Sequence, residues 1–269
     1  MNTSKPARRY ASRSRQLGRG GRYPWDMHDL TPHQPDRRQV LKGAALVTGA
    51  LGASLIATPA NALARVAAAA HPDIVHGSRS VPNVALTFHG AGDPAIVQKL
   101  LAIFKSTATP ISVFAIGTWL QGYPQVAKQM LDAGYDLGNH TMNHYQMKTL
   151  SAKVVDSEIA LCAAELKKLT GDHGKWFRPS GTQYSTARIR AAAAKYGYTQ
   201  CISYDVDSHD YQDVGKAAVL GDVARDIKNG SIISLHFGHQ DTIDAMPTLL
   251  ENIHAKGLKP VTLTTLLKA

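Results

Sequence analysis

Residues 113–144, VFAIGTWLQGYPQVAKQMLDAGYDLGNHTMNH, contain a short apolar run, an amphipathic stretch broken by Gly and Pro, a second short run, and then two histidines four apart. Strand, helix, strand and polar strand end in that order are the signature of a βα unit in a parallel sheet. The same rhythm continues on both sides. Strands are expected at NVALTF, PISVFAIG, DLGNHT, KWFRP, TQCISYDV, SIISLHF and KPVTLTTL. Helices are expected at about 94–106, 122–134, 151–170, 185–197, 214–228 and 241–255, most of them ended by Gly or Pro. About seven parallel strands in some 190 residues fit one domain, a closed or nearly closed α/β barrel.

The composition agrees with a globular chain: 269 residues, 44% hydrophobic, with 22 Gly and 13 Pro, which excludes collagen, long disorder and a multi-span membrane protein. The formal charge of +10 raises the question of nucleic acid. Its position answers that. Residues 1–64 hold ten Lys/Arg against three Asp/Glu, which leaves 20 against 17 for the rest, too little for a phosphate-binding surface.

The basic N-terminus reads as an address. DRRQVLKG, with paired Arg37 and Arg38, precedes sixteen uncharged residues from Gly43 to Thr58 and then PANALA. That order is the one of an export signal of the twin-arginine type, and the apolar run is short for a bilayer span of about 20 residues. The expected organisation is therefore a signal region over 1–64, removed on export, a linker over 65–80 and a catalytic domain over 81–269. Translation is expected to start at Met27, since 1–26 is long for such a leader. The expected location is secreted or cell-envelope, with no stable membrane insertion after cleavage. Cys162 and Cys201 have no zinc-knuckle spacing, and two buried free thiols are favoured over a disulfide.

In parallel β/α architectures reactive groups gather at the C-terminal ends of the strands. Here those ends carry His89, then His140 and His144, Arg178, then Asp205, Asp207 and Asp210, and finally His236. One site built from several loops is the expectation. The spacing of His140 and His144 lets both imidazoles reach one ion if the segment makes a helical turn.

The stretch from Val113 to His144, followed by FRP, DVDSHDY and IISLHFGH, resembles the polysaccharide deacetylase family, the NodB-homology or family 4 carbohydrate esterases. The resemblance runs from about Val81 to the C-terminus. It implies a distorted (β/α) barrel, a divalent ion with zinc the expected one, and removal of acetyl groups from an N-acetylated cell-wall or extracellular glycan. It also implies that His140 and His144 are metal ligands and His236 is the catalytic acid. Asp207 and Asp210 then match an Asp-x-x-Asp-Trp element with Tyr211 in place of Trp. Asp207 is the carboxylate expected to fix the His236 ring, and backbone N–H groups near Gly181 are expected to bind the oxyanion.

Two motifs depart from that family. Where Thr-Phe-Asp-Asp-Gly is usual, LTFHGAGDP puts His89 at the base position and Gly90 at a metal position, so both carboxylates are missing. His89 acts as a neutral base or binds the metal itself, and Asp93 is either the anionic ligand or, standing before Pro94, a helix N-cap. After Arg178 come Pro179, Ser180 and Gly181 without the usual Tyr, and Arg178, deprived of its customary aspartate, is expected to pair with Asp205 or Asp207. Three functions follow in order: a deacetylase, a catalytically silent glycan-binding module, and an amidohydrolase acting on a non-glycan C–N bond.

Overall fold

The computed structural model describes residues 72–268. The signal region and Met27 lie outside the described residues. Strand β1 (Asn83–Gly90) is central: it pairs in parallel with β2 (Ser112–Ala115) on one side and β5 (Ile232–His236) on the other. Beyond β2 lies β3 (Asp136–Asn139), and beyond β5 lies β4 (Val206–Asp207). The two ends meet through single-residue parallel bridges, Asn139 to Phe177 and Phe177 to Cys201, and the 201–207 segment runs on into β4. The ring of strands thereby closes. Its weak sector is the one with bridges in place of strands, which makes the barrel distorted as expected.

Strand β6 (Lys259–Pro260) pairs only with the first two residues of β1, at the foot of the barrel. The strand expected over KPVTLTTL stops there, because the Thr262 side chain accepts the Thr265 N–H and starts the short helix α8 (Leu263–Leu266). KWFRP likewise contributes only the Phe177 bridge.

The helices follow the sequence reading closely. α1 (Pro94–Ser106) starts with Asp93 as N-cap and Pro at its first turn; α2 (Gly117–Gly122) and α3 (Pro124–Asp132) divide the stretch before β3. α4 (Ala152–Thr170) is capped by Ser151 at its start and by left-handed Gly171 at its end. α5 (Ala187–Ala194), α6 (Lys216–Asp226) and α7 (Gln240–Ala255) complete the outer layer. No described helix is long and apolar enough to cross a membrane.

Alternation along the strands sorts the core. Phe88, Val113, Ile233 and Leu235 face outward into the main apolar cluster beneath α1, α3 and α7. Thr87, His89, Phe114, Ser234 and His236 share the inner face, and Ala85, Ile202, Ile232, Val261 and Leu263 fill the foot of the barrel. The apolar floor and polar mouth are thus set by one period-2 pattern.

Part of the expected linker belongs to the domain. Ile74 bridges Ile202, Asp73 accepts the Ser185 N–H and hydroxyl, and Arg79 pairs with Asp205 at 2.7 Å. Cys162 and Cys201 are both buried free thiols, and burial pushes them up to about 12 and about 11.

The HGAGD loop is fixed by contact with a second loop. Gly92 adopts φ +128°, its carbonyl accepts the Trp119 indole N–H at 2.9 Å, and a Cβ placed on it would stand 2.6 Å from the Gly238 Cα. Any side chain would force apart the loops that follow β1 and β5. Gly92→Ala is expected to lower the unfolding free energy by about 2 kcal/mol, read from urea denaturation, since strained φ and overpacking act together.

Candidate active site

At the C-terminal mouth of the barrel the strand register sets His89 on β1 beside His236 on β5, and the chain leaving β3 delivers His140. Their rings are neighbours: His89 and His140 have centroids 4.5 Å apart, His140 and His144 4.9 Å, and His89 and His236 4.3 Å. One nitrogen each of His89, His140 and His144 lies within 4.8 Å of the others, so these three form the candidate metal centre.

The donor chemistry fits a metal. The His140 Nδ1 lies 2.8 Å from the Arg178 carbonyl oxygen, which can only accept, so Nδ1 carries the proton and Nε2 presents a lone pair. That Nε2 and the Nε2 of His89 are buried with no hydrogen-bond partner. Unpaired buried polar atoms are costly, and two in one cluster mark a place for a ligand. Burial first, then the neighbouring imidazoles and Arg178, hold His89 well below the ordinary imidazole value. His140 is held low in the same way, chiefly by burial and His144, although its bond to the Arg178 carbonyl opposes the shift. Burial and His236 bring His144 down to about 4. Neutral imidazoles are the form that ligates.

The His140–His144 segment is not a helical turn. It is a loop with left-handed backbone at Thr141 (φ +70°) and His144 (φ +60°), stabilised by surrounding hydrogen bonds. The Asn139 Oδ1 accepts the Thr141 N–H at 2.8 Å, and the Ser180 hydroxyl meets the Thr141 hydroxyl and donates to the Tyr145 carbonyl.

Asp93 is not in that cluster. Its Oδ1 accepts the Ala95 N–H at 2.8 Å, and it is exposed at the start of α1, so the cap reading holds. Gly90 leaves no room for a side chain either, since a Cβ there would lie 2.8 Å from the Val113 Cγ1. His89 is therefore the residue of the first motif that the fold brings to the other two.

The carboxylate that holds His236 is Asp210, not Asp207. Asp210 is fully buried; its Oδ1 accepts the His236 Nδ1–H at 2.7 Å and its Oδ2 accepts the His236 backbone N–H and the Thr242 hydroxyl. Burial alone would push the Asp210 carboxyl up, but the His236 ring and these hydrogen bonds bring it below the usual carboxylate range. Asp207, at the end of β4, instead accepts the His209 backbone N–H at 3.1 Å. The reason is local geometry: a 3-10 turn at Asp210–Gln212, entered through left-handed His209, swings the second acid inward. His209 itself pairs with Asp222 at 2.9 Å and His239 with Asp213 at 3.0 Å, and Tyr211 lies 5.0 Å from His236.

Arg178 pairs with neither expected acid. Asp205 is bound to Arg79, and the buried Arg178 guanidinium donates from Nη2 to the Thr87 hydroxyl and the Ser203 carbonyl while lying 4.3 Å from the Phe114 ring centroid. Burial pushes it down to about 9, with Tyr204 and Asp207 opposing the shift. Gly181 adopts φ +62°, and a Cβ there would meet the Gln146 Cα at 2.8 Å, so it supports the loop beyond His144.

A parallel α/β barrel with a polyhistidine mouth and a carboxylate-held histidine defines a hydrolase-like class of site. The polysaccharide deacetylase family model matches residues 76–201. A peptidoglycan-N-acetylglucosamine deacetylase of Bacillus cereus is 29% identical over 201 residues, covering 70% of this chain and 91% of that protein. A family 4 carbohydrate esterase from Streptomyces lividans, solved with acetate, is 29% identical with TM-score 0.60, over 71% of this chain and 92% of that one. A CE4 family pseudoenzyme from Bacillus anthracis is 25% identical with TM-score 0.67, over 73% of this chain and 69% of that one. The chain is thus similar to the polysaccharide deacetylases over residues 76–201 and to family 4 carbohydrate esterases over about 70% of its length.

The three lowered imidazoles dictate an acid response. In the unfolded chain a histidine titrates near 6.5. Below that pH the unfolded state binds protons that the folded site refuses, so stability falls with acid. For His144 the window runs from 6.5 down to about 4. Metal-free protein is expected to lose thermal stability progressively from pH 7 to pH 4, and His144→Gln to flatten that profile, as read by Tm across the series.

Proposed function

We propose that this chain is a metal-dependent hydrolase that removes acetyl groups from an N-acetylated cell-wall or extracellular glycan. The observation that carries the reading is the cluster of His89, His140 and His144, in which the buried Nε2 atoms of His89 and His140 have no hydrogen-bond partner. The names of the relatives supply the substrate class, and an exported protein would meet such a glycan. Export by the twin-arginine route belongs to the same proposal.

His89, His140 and His144 would hold the ion, zinc by its preference for imidazole nitrogen. When bound, such an ion supplies Lewis acidity toward the acetyl carbonyl and lowers the pKa of water. The chain's own residues do the rest. With Nδ1 donating to Asp210, the His236 Nε2 is free to take a proton from the attacking water and return it to the departing nitrogen. Asp210 fixes the ring's orientation and tautomer through that bond. Arg178, beneath the imidazoles, disfavours a positive charge on His89 and His140 and keeps them in the ligating form.

A second reading is favoured by one observation: the first motif has no carboxylate at the mouth, only His89 and Gly90. On that reading the barrel is a silent glycan-binding module. Its counterpart is the Bacillus anthracis pseudoenzyme, a mutant of which has restored enzymatic activity. Elemental analysis and acetate release from N-acetylglucosamine oligomers separate the two. The hydrolase is expected to retain about one zinc per chain, and His140→Ala to lose both metal and acetate release. His236→Ala is expected to keep metal and lower kcat by about 10²-fold or more. Retained oligomer affinity with neither metal nor acetate release would leave the binding module. Activity on simple amides but not on the oligomers would point to a non-glycan amidohydrolase.

A further inference from the structure

We infer that Glu158, in the middle of α4, is the positioning residue that sets the histidine loop for metal binding. The inference rests on the metal centre proposed above. Glu158 is 3% exposed, and among the described residues no Lys, Arg or His lies within ion-pair distance of it. A buried carboxylate without a cation is expensive unless N–H donors hold it. Both its oxygens are taken up by one residue: Oε2 accepts the Asn143 backbone N–H at 2.8 Å and Oε1 accepts the Asn143 side-chain Nδ2–H at 2.6 Å.

Asn143 stands between the two ligating histidines, immediately before His144, whose backbone is left-handed. That conformation costs about 1–2 kcal/mol for a residue with a Cβ. It persists only when neighbours over-determine it. The anchors on either side are neutral: the Thr141 and Met142 carbonyls accept the Gly117 and Thr118 N–H groups, and Ser180 holds Tyr145. Glu158 is the only one that grips the residue next to His144 by both its backbone and its side chain. It reaches across from a 19-residue helix, so the ligand loop is referred to a rigid element and not to the loop's own preferences. Without it the three ligand nitrogens would seldom meet at one point, and metal affinity would fall. Outer groups of this kind set affinity by about 10–100-fold.

The test is zinc affinity of the full chain by competition with a chromophoric chelator, with Tm of the metal-free forms measured in parallel. Glu158→Ala is expected to weaken zinc binding by about 10–100-fold. Glu158→Gln is expected to recover most of it, because its amide oxygen accepts the Asn143 backbone N–H while its NH₂ donates to a flipped Asn143 amide. If Glu158→Ala fails to fold, Asn143→Ala serves: the residue is exposed, so the fold is retained, and zinc affinity is expected to drop several-fold. Wild-type affinity in Glu158→Ala or in Asn143→Ala, or a glutamine variant no better than the alanine one, would overturn the inference. Failure of the wild-type chain to bind zinc at all would overturn the proposed metal centre instead, and the two failures are distinguishable.

Discussion

The interaction on which the site depends is the burial of Arg178 inside the barrel. Its guanidinium bonds to Thr87 on β1 and to the Ser203 carbonyl ahead of β4, so one side chain spans the barrel interior. Its backbone carbonyl fixes the tautomer of His140, and its charge acts on the His89 and His140 imidazoles. A cation in this position has no carboxylate partner. Hydrogen bonds to oxygen acceptors and the Phe114 and Tyr204 rings offset part of its desolvation. The residue therefore shapes geometry and electrostatics together, where the sequence leads us to expect an ion pair with Asp205 or Asp207.

Replacing carboxylates by His89 and Gly90 changes the balance of charge at the mouth. A carboxylate ligand brings its own negative charge; an imidazole brings none, and must be kept unprotonated by its surroundings. Burial, neighbouring imidazoles and Arg178 all act in that direction. The remaining buried acids are engaged behind the site. Asp210 holds His236, and Glu158 holds Asn143 beside His144.

Much of the fold was legible. Helix limits at 94–106 and 151–170 fall within a residue of those observed, because Asp93, Pro94, Ser151 and Gly171 are strong end signals. Where short runs were read as strands, at 175–179 and 259–266, the error was one of degree. A β-rich composition says nothing of whether a partner lies alongside, and Thr262 is as good a cap as a strand residue. The four-residue histidine spacing brings two imidazoles together if it forms a helical turn, yet these histidines converge through a left-handed loop held by Asn139, Ser180 and Glu158. Glu158 itself gave no signal, since a Glu on an amphipathic helix ordinarily faces water. Asp207 and Asp210 were indistinguishable by spacing; only the turn at 210–212 decides which one faces inward.

The sequence by itself determined the alternation of strands and helices and the collection of histidines at strand ends, because periodicity and residue type are local and survive without coordinates; its motifs carry the resemblance to polysaccharide deacetylases. The tertiary structure alone decided that His89 joins His140 and His144, that Asp93 caps a helix, that Asp210 holds His236 and that Arg178 stands without an acid. Those outcomes depend on distances between residues up to 91 positions apart, as for Arg178 and Thr87, and on which side of a turn an atom falls. Such distances are fixed by packing, which no local pattern encodes.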